Sequence, residues 1–260
     1  MISSFDHFRI VREWWGSRIV QSDTAALKIN PSTQQGAFEC LILGVLYAIN
    51  GTGPDIQDTF NALRNGGYTN IELLARISPA SEEFDRIHQI FKSNYFNGRL
   101  ALYVTTQGLP GGKVMQIIEN ARDIVADRQL SGDLSKVSSL YSDDGYSTLK
   151  WLWARPGIRK KAFWMMREMR MRGAWNIDGK YCCVPDEQVG SSLKRWNKIA
   201  WWPAAGNPSF DLCLECSDIV WNYFGGLYDL PILHYARDYR CNSKGFRMCT
   251  NCKIFPHCSP

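Results

Sequence analysis

The chain lacks any stretch that could cross a membrane as a helix. Such a span needs about 20 apolar residues. The longest apolar stretch, 38–49, is 12 residues long and is broken by Glu39. The opening residues, MISSFDHFRIVREWW, contain no uninterrupted apolar core of a secretory leader. No segment alternates apolar and polar residues over more than a few positions, so half-buried strands are not the building material. Internal repeats and low-complexity tracts are also missing. These absences favour a cytoplasmic (nucleoid-associated) compartment and no membrane partner; a monomer is expected.

What is present is a globular composition. The 260 residues are 45% hydrophobic and 21% charged, which excludes a disordered chain and allows one or two domains with a full core. The charge is unevenly spread. Residues 1–150 carry a net −2 and residues 151–260 a net +7. Most of the excess lies between Arg155 and Lys198, with 11 basic and 4 acidic side chains. A local positive field of this kind attracts polyanions, although a solvated helix face has the same composition.

Hydrophobic spacing predicts an all-α chain of roughly seven to eleven short helices. Residues 1–35 read as a leading arm with one amphipathic helix. A buried helix is expected over 37–49. Further helices are expected over 55–64, 71–76, 82–94, 113–127, 159–171, 210–225 and 231–237. Residues 175–185 read as a crossing between two lobes.

Of nine cysteines, four crowd the last 20 residues in the order Cys241-x7-Cys249-x2-Cys252-x5-Cys258. In a reducing compartment, clustered cysteines point to metal ligands or reactive thiols rather than to disulfides. Structural zinc sites often use two CxxC knuckles, and only one is present here. Four ligands from a longer wrapping loop suit a [4Fe–4S] cluster better than zinc or spare thiols. Cys213-x2-Cys216 is a rival knuckle, but its spacing on an apolar helix face fits core thiols better.

Two other segments carry candidate chemistry. ARPGIRKKAFWMMREM (154–169) reads as a helix end, a tight Pro-Gly turn and a basic helix start. Backbone amides at such a turn can hold a phosphate, and the basic side chains add attraction. The same pattern also opens ordinary helices. In YCCVPDEQVGSSLKRW (181–196), Asp186 precedes Val189 and Leu193 at helical spacing and reads as an N-cap. A capping carboxylate can still serve a cleft. Lys160 and Lys161 are its candidate partners, because a lysine amine can attack a sugar carbon and a carboxylate can stabilise positive charge.

The order of Pro-Gly hairpin, basic helix start, capping aspartate and terminal four-cysteine loop resembles the helix-hairpin-helix DNA glycosylases of the endonuclease III type. The resemblance covers roughly 36–260, and the cysteine loop is its most specific part. PILHYARDYRC (231–241) and AFECLILGVLYAINGTGPDIQDTF (37–60) are also similar to family segments. The family loop reads Cys-x6-Cys-x2-Cys-x5-Cys, one residue shorter in the first gap.

The resemblance implies a two-lobed, all-α fold. A six-helix barrel would span 36–178 and carry the hairpin. An iron–sulfur cluster domain would combine 1–35 with 179–260, with a cleft for duplex DNA between the two. The activity implied is base-excision repair. A damaged or mismatched base would be flipped out of the stack and its N-glycosidic bond cleaved. Asp186 would stabilise the oxocarbenium-like sugar, and a Schiff-base lysine would add AP lyase activity in a bifunctional enzyme. Cys241, Cys249, Cys252 and Cys258 would hold the [4Fe–4S] cluster. The ordered loop would let Lys244 and Arg247 reach phosphates, while Gly157, Ile158 and Arg159 would form the hairpin clamp.

Two departures matter. The family hairpin reads L-P-G-[VI]-G-x-K-x-A, and Arg159 stands at its second glycine. Counting from Pro156–Gly157 puts Lys161 at the nucleophile position. Aligning on Ala162 puts Lys160 there, and this is the preferred register because it keeps Trp164, Met165 and Met166 in packed positions. Near Tyr47 the family has a gap-filling glutamine; here Ile49 or Asn50 would take that role as a wedge. The alternative function is a non-catalytic helix-hairpin-helix DNA-binding protein with a structural iron–sulfur or zinc site. The spacings of Trp14, Trp15, Trp151, Trp153 and Trp164 fit core faces. Trp201 and Trp202 fit one less readily.

Overall fold

A buried helix needs apolar residues on all sides, and residues 37–46 supply them with one exception. In the computed structural model, which describes residues 6–47, 53–94, 112–203, 208–239 and 249–258, they lie in a helix at Gln34–Tyr47 that is buried along almost its whole length. The exception, Glu39, is only 8% exposed at its side chain and is paired with Arg64, whose Nη2 lies 2.7 Å from Oε2 and whose Nε donates to Oε1 at 3.1 Å. Thr69 Oγ1 donates to the same Oε1 at 3.1 Å. Removing Arg64 would strand a buried charge, at a cost of about 3 kcal/mol.

The regular structure among the described residues is all helical, with no strand. In chain order the α-helices are α1 (His7–Trp15), α2 (Asp23–Ala26), α3 (Gln34–Tyr47), α4 (Gly53–Asn65), α5 (Ile71–Arg76), α6 (Glu82–Asn94), α7 (Gly112–Ala126), α8 (Val137–Leu140), α9 (Gly145–Trp153), α10 (Lys161–Met171), α11 (Glu187–Arg195), α12 (Phe210–Phe224) and α13 (Leu230–Asp238). Among the described residues the four-residue helices α2 and α8 bring the number to 13, above the expected range. None of the described helices is long and apolar enough to cross a membrane.

Side-chain caps set many boundaries. Asn70 accepts from the Leu73 amide to start α5, Asp144 from Tyr146 and Ser147 to start α9, and Ser209 from Leu212 to start α12.

The chain divides into two units. One is Ser22–Ile177, and the other joins Met1–Gln21 to Asp178–Pro260. Residues 22–35 were expected with the terminal unit, but they belong to the central one. The reason is a buried polar anchor. Glu168 of α10 is fully buried, and its Oε2 accepts from Ser22 Oγ at 2.6 Å, the Thr24 amide at 3.0 Å and Thr24 Oγ1 at 3.0 Å. Trp164, one turn earlier, donates Nε1 to Asp23 Oδ2 at 2.8 Å.

In the central unit α3 packs against α4, α7 and α10, while α5 packs on α7. In the terminal unit α11 packs against α12 and α13, and α1 against the same two helices. His7 of α1 reaches the cysteine-bearing tail, with Nε2 3.2 Å from the His257 carbonyl.

Candidate functional site

The Pro-Gly segment forms a tight turn between α9 and α10. Gly157 adopts φ +76° and Arg159 φ +40°. The first value is ordinary for glycine. The second is costly for arginine, because a Cβ crowds the following carbonyl in the left-handed region. Arg159 thus adopts a backbone region that glycine favours. Its side chain is exposed. The amides of Ile158, Lys161 and Ala162 bond within the turn, to the carbonyls of Arg155, Ile158 and Arg159. Those of Gly157, Arg159 and Lys160 donate to no backbone carbonyl among the described residues. Successive amides around a left-handed residue make a concavity suited to an anion.

The turn is held from two sides. Ile158 is buried, and α3 accommodates it at Gly44, where an added Cβ would come within 3.2 Å of Ile158 Cδ1 and 3.3 Å of Met165 Sδ. Ile158 can therefore offer a ligand only its backbone. From α7, Asn120 donates Nδ2 to the Pro156 carbonyl at 2.8 Å, and Asp123 pairs with Arg155 at 3.2 Å. Gln116 lies against Gly157. Sequence reasoning missed this brace, although Gln116, Asn120 and Asp123 recur at helical spacing along one face. Lys160 is the N-cap residue of α10 and Lys161 its first residue. Both are half-buried.

In the terminal unit Asp186 caps α11. Its Oδ1 accepts from the Gln188 and Val189 amides, each at 2.9 Å. Val189 and Leu193 are buried beneath it, so the cap and the packed face follow from the same short sequence. The two amide donors hold Oδ1 at the helix start.

Of the four tail cysteines, Cys241 lies outside the described residues, as do Ile49, Asn50, Lys244 and Arg247. Cys249, Cys252 and Cys258 are half-buried free thiols. Burial raises the pKa of Cys258, and the neighbouring Cys252 and Cys249 push it the same way, so the three thiols lie within electrostatic reach of one another. The Tyr235 hydroxyl sits 3.2 Å from Cys252 Sγ. Among the described residues, no group of three or more His, Cys, Asp or Glu is drawn together to hold a metal ion. Thiols are the donor type a thiolate-ligated group would need, and the fourth cysteine of the tail falls outside the described residues. Cys213 and Cys216 are fully buried in α12, where burial raises the Cys216 pKa strongly, as for an inert core thiol.

Among the tryptophans expected in the core, Trp15 and Trp164 are buried and Trp14, Trp151 and Trp153 half-buried. Trp202 is buried as well. No family model matches the chain, and neither the curated proteins nor the solved structures give a match.

Proposed function

We propose that this protein is a DNA glycosylase of base-excision repair, built on the helix-hairpin-helix plan and acting on a flipped base in duplex DNA. The observation that carries the reading is the backbone of Arg159. A non-glycine residue held at φ +40° supports reading this turn as a phosphate-binding hairpin in which arginine stands where the resembling family has its second glycine. The same observation supports the register counted from Pro156–Gly157. Lys161 is then the candidate nucleophile, in place of the Lys160 preferred on sequence.

In this reading the hairpin amides and Arg159 bind phosphate, and Asp186 stabilises positive charge on the sugar as the glycosidic bond breaks. The base departs with the electron pair of that bond. Water, or the Lys161 amine, forms the new bond to C1′ and gives up a proton. With lysine the ring opens to an iminium, which allows loss of a C2′ proton and of the 3′ phosphate. Cys241, Cys249, Cys252 and Cys258 would hold a [4Fe–4S] cluster, whose contribution is to order the loop that bears Lys244 and Arg247.

The test is release of a free base by the purified chain from duplexes bearing uracil, mismatched thymine, an oxidised pyrimidine, oxidised guanine or an alkylated base. Release from at least one is expected. Tight binding with no release from any of them would leave the non-catalytic DNA-binding reading. Borohydride trapping of a covalent adduct that is lost in Lys161→Gln and kept in Lys160→Gln would assign the nucleophile. Base release without an adduct would make the enzyme monofunctional.

A further inference from the structure

Of the ten tryptophans, all described, Trp201 alone is exposed, at 57%. Its neighbour explains how it is held. Trp202 is buried and lies flat against α11 at Gly190, where an added Cβ would come within 2.1 Å of the indole. Trp202 Nε1 also donates to Glu187 Oε2 at 3.2 Å. Glu187 is the first residue of α11, directly after Asp186. The buried indole thus pins the backbone of residue 201 beside the helix that Asp186 caps.

Beyond the acidic pair Asp186–Glu187 that opens α11, the chain stretch leading to Trp201 is basic. From Gln188 to Pro203 there are three basic residues, Lys194, Arg195 and Lys198, and no acidic one. An anchored, solvent-facing indole on a chain stretch that carries cations, one of them (Lys198) lying over the Phe8 ring at 5.5 Å, matches how proteins grip single nucleotides, with charge on the backbone and a flat ring under the base. An apolar peptide partner would not call for the cations.

We propose that Trp201 is a stacking platform for the nucleobase extruded from duplex DNA, an inference that rests on the DNA reading above. The neighbouring cations would hold the phosphates on either side of that nucleotide.

The test uses the full chain and a duplex in which 2-aminopurine faces an abasic-site analogue, so that the fluorescent base is unpaired and cheap to extrude. The same duplex with every base paired is the comparison. Trp201→Ala is expected to bind the 2-aminopurine duplex about tenfold more weakly than wild type, as loss of one stacked base implies. It should bind the paired duplex within about twofold of wild type. Trp201→Phe should recover most of the lost affinity. At saturation, 2-aminopurine emission should be higher with Trp201→Ala, because the indole no longer quenches it.

If Trp201→Ala matches wild type in both affinity and emission while both proteins bind the DNA, the inference falls and the DNA reading stands. Equal weakening on both duplexes also overturns it, since the residue would then serve phosphate binding or folding. If wild type binds neither duplex, the DNA reading falls and takes this inference with it.

Discussion

Gly157 sits so close to Gln116 that a Cβ on the glycine would lie 2.3 Å from the Gln116 Oε1 atom. The two residues are distant in sequence, yet they pack together where the hairpin meets its supporting helix. Gly157 also needs φ +76°. Gly157→Ala therefore meets both a steric and a backbone penalty. The Gln116 end can swing aside, so the backbone dominates. We expect a loss of about 1–2 kcal/mol in denaturant unfolding. Gly173→Ala is the comparison, since φ is +69° there with nothing near the added Cβ. Similar losses at both sites would show that the Gln116 contact adds nothing.

Arg159→Gly separates backbone strain from charge. Glycine tolerates φ +40°, so stability should stay the same or rise by up to about 1 kcal/mol. If Arg159 meets a phosphate, DNA affinity should fall, and the slope of log K against log salt should become shallower by about 1. An unchanged slope would remove Arg159 from the interface.

Lys113 makes a prediction about pH. It is 4% exposed, and burial lowers its pKa from the ordinary 10.5 to about 8. Below pH 8 the folded chain carries a buried cation, and the full penalty, about 3 kcal/mol, is present. Between about 8 and 10.5 the folded state loses the proton while the unfolded state keeps it, so the penalty fades as pH rises. Lys113→Met should therefore stabilise the protein by up to about 3 kcal/mol at pH 7 and by much less at pH 10. Urea unfolding at the two pH values checks this, and an equal gain at both would contradict it.

The tail thiols predict colour. Protein purified without oxygen should be yellow-brown with broad visible absorption, and Cys252→Ser should lose both the colour and the bound iron. A colourless protein with stoichiometric zinc would replace the cluster with a single ion.

Much of this was legible in the residues. The expected bounds of α5 and α6 coincide with the observed ones, because Asn70 caps the first and acidic residues fill the first turn of the second. The Asp186 cap was readable from one polar residue set before Val189 and Leu193. Other features depend on partners distant in sequence. Glu39 reads as a flaw in an apolar run until Arg64, 25 residues away, neutralises it. Ser22 and Thr24 look like loop polars until Glu168 claims them across more than 140 residues. The left-handed backbone of Arg159 carries no local signal at all, since arginine does not favour it. The turn is imposed by Ile158 on Gly44 below and by Asn120 on Pro156 alongside.

Asp186 carries the central claim, and two substitutions divide its roles. Asparagine caps a helix as well as aspartate does, whereas alanine costs about 1 kcal/mol. Asp186→Asn should keep the wild-type unfolding midpoint and DNA affinity. Single-turnover base release by wild type and Asp186→Asn, on whichever lesion duplex is cleaved, is the most direct measurement. A loss of about 100-fold in the variant is expected, as for removal of one electrostatic stabiliser. Equal rates in the two proteins would contradict the account.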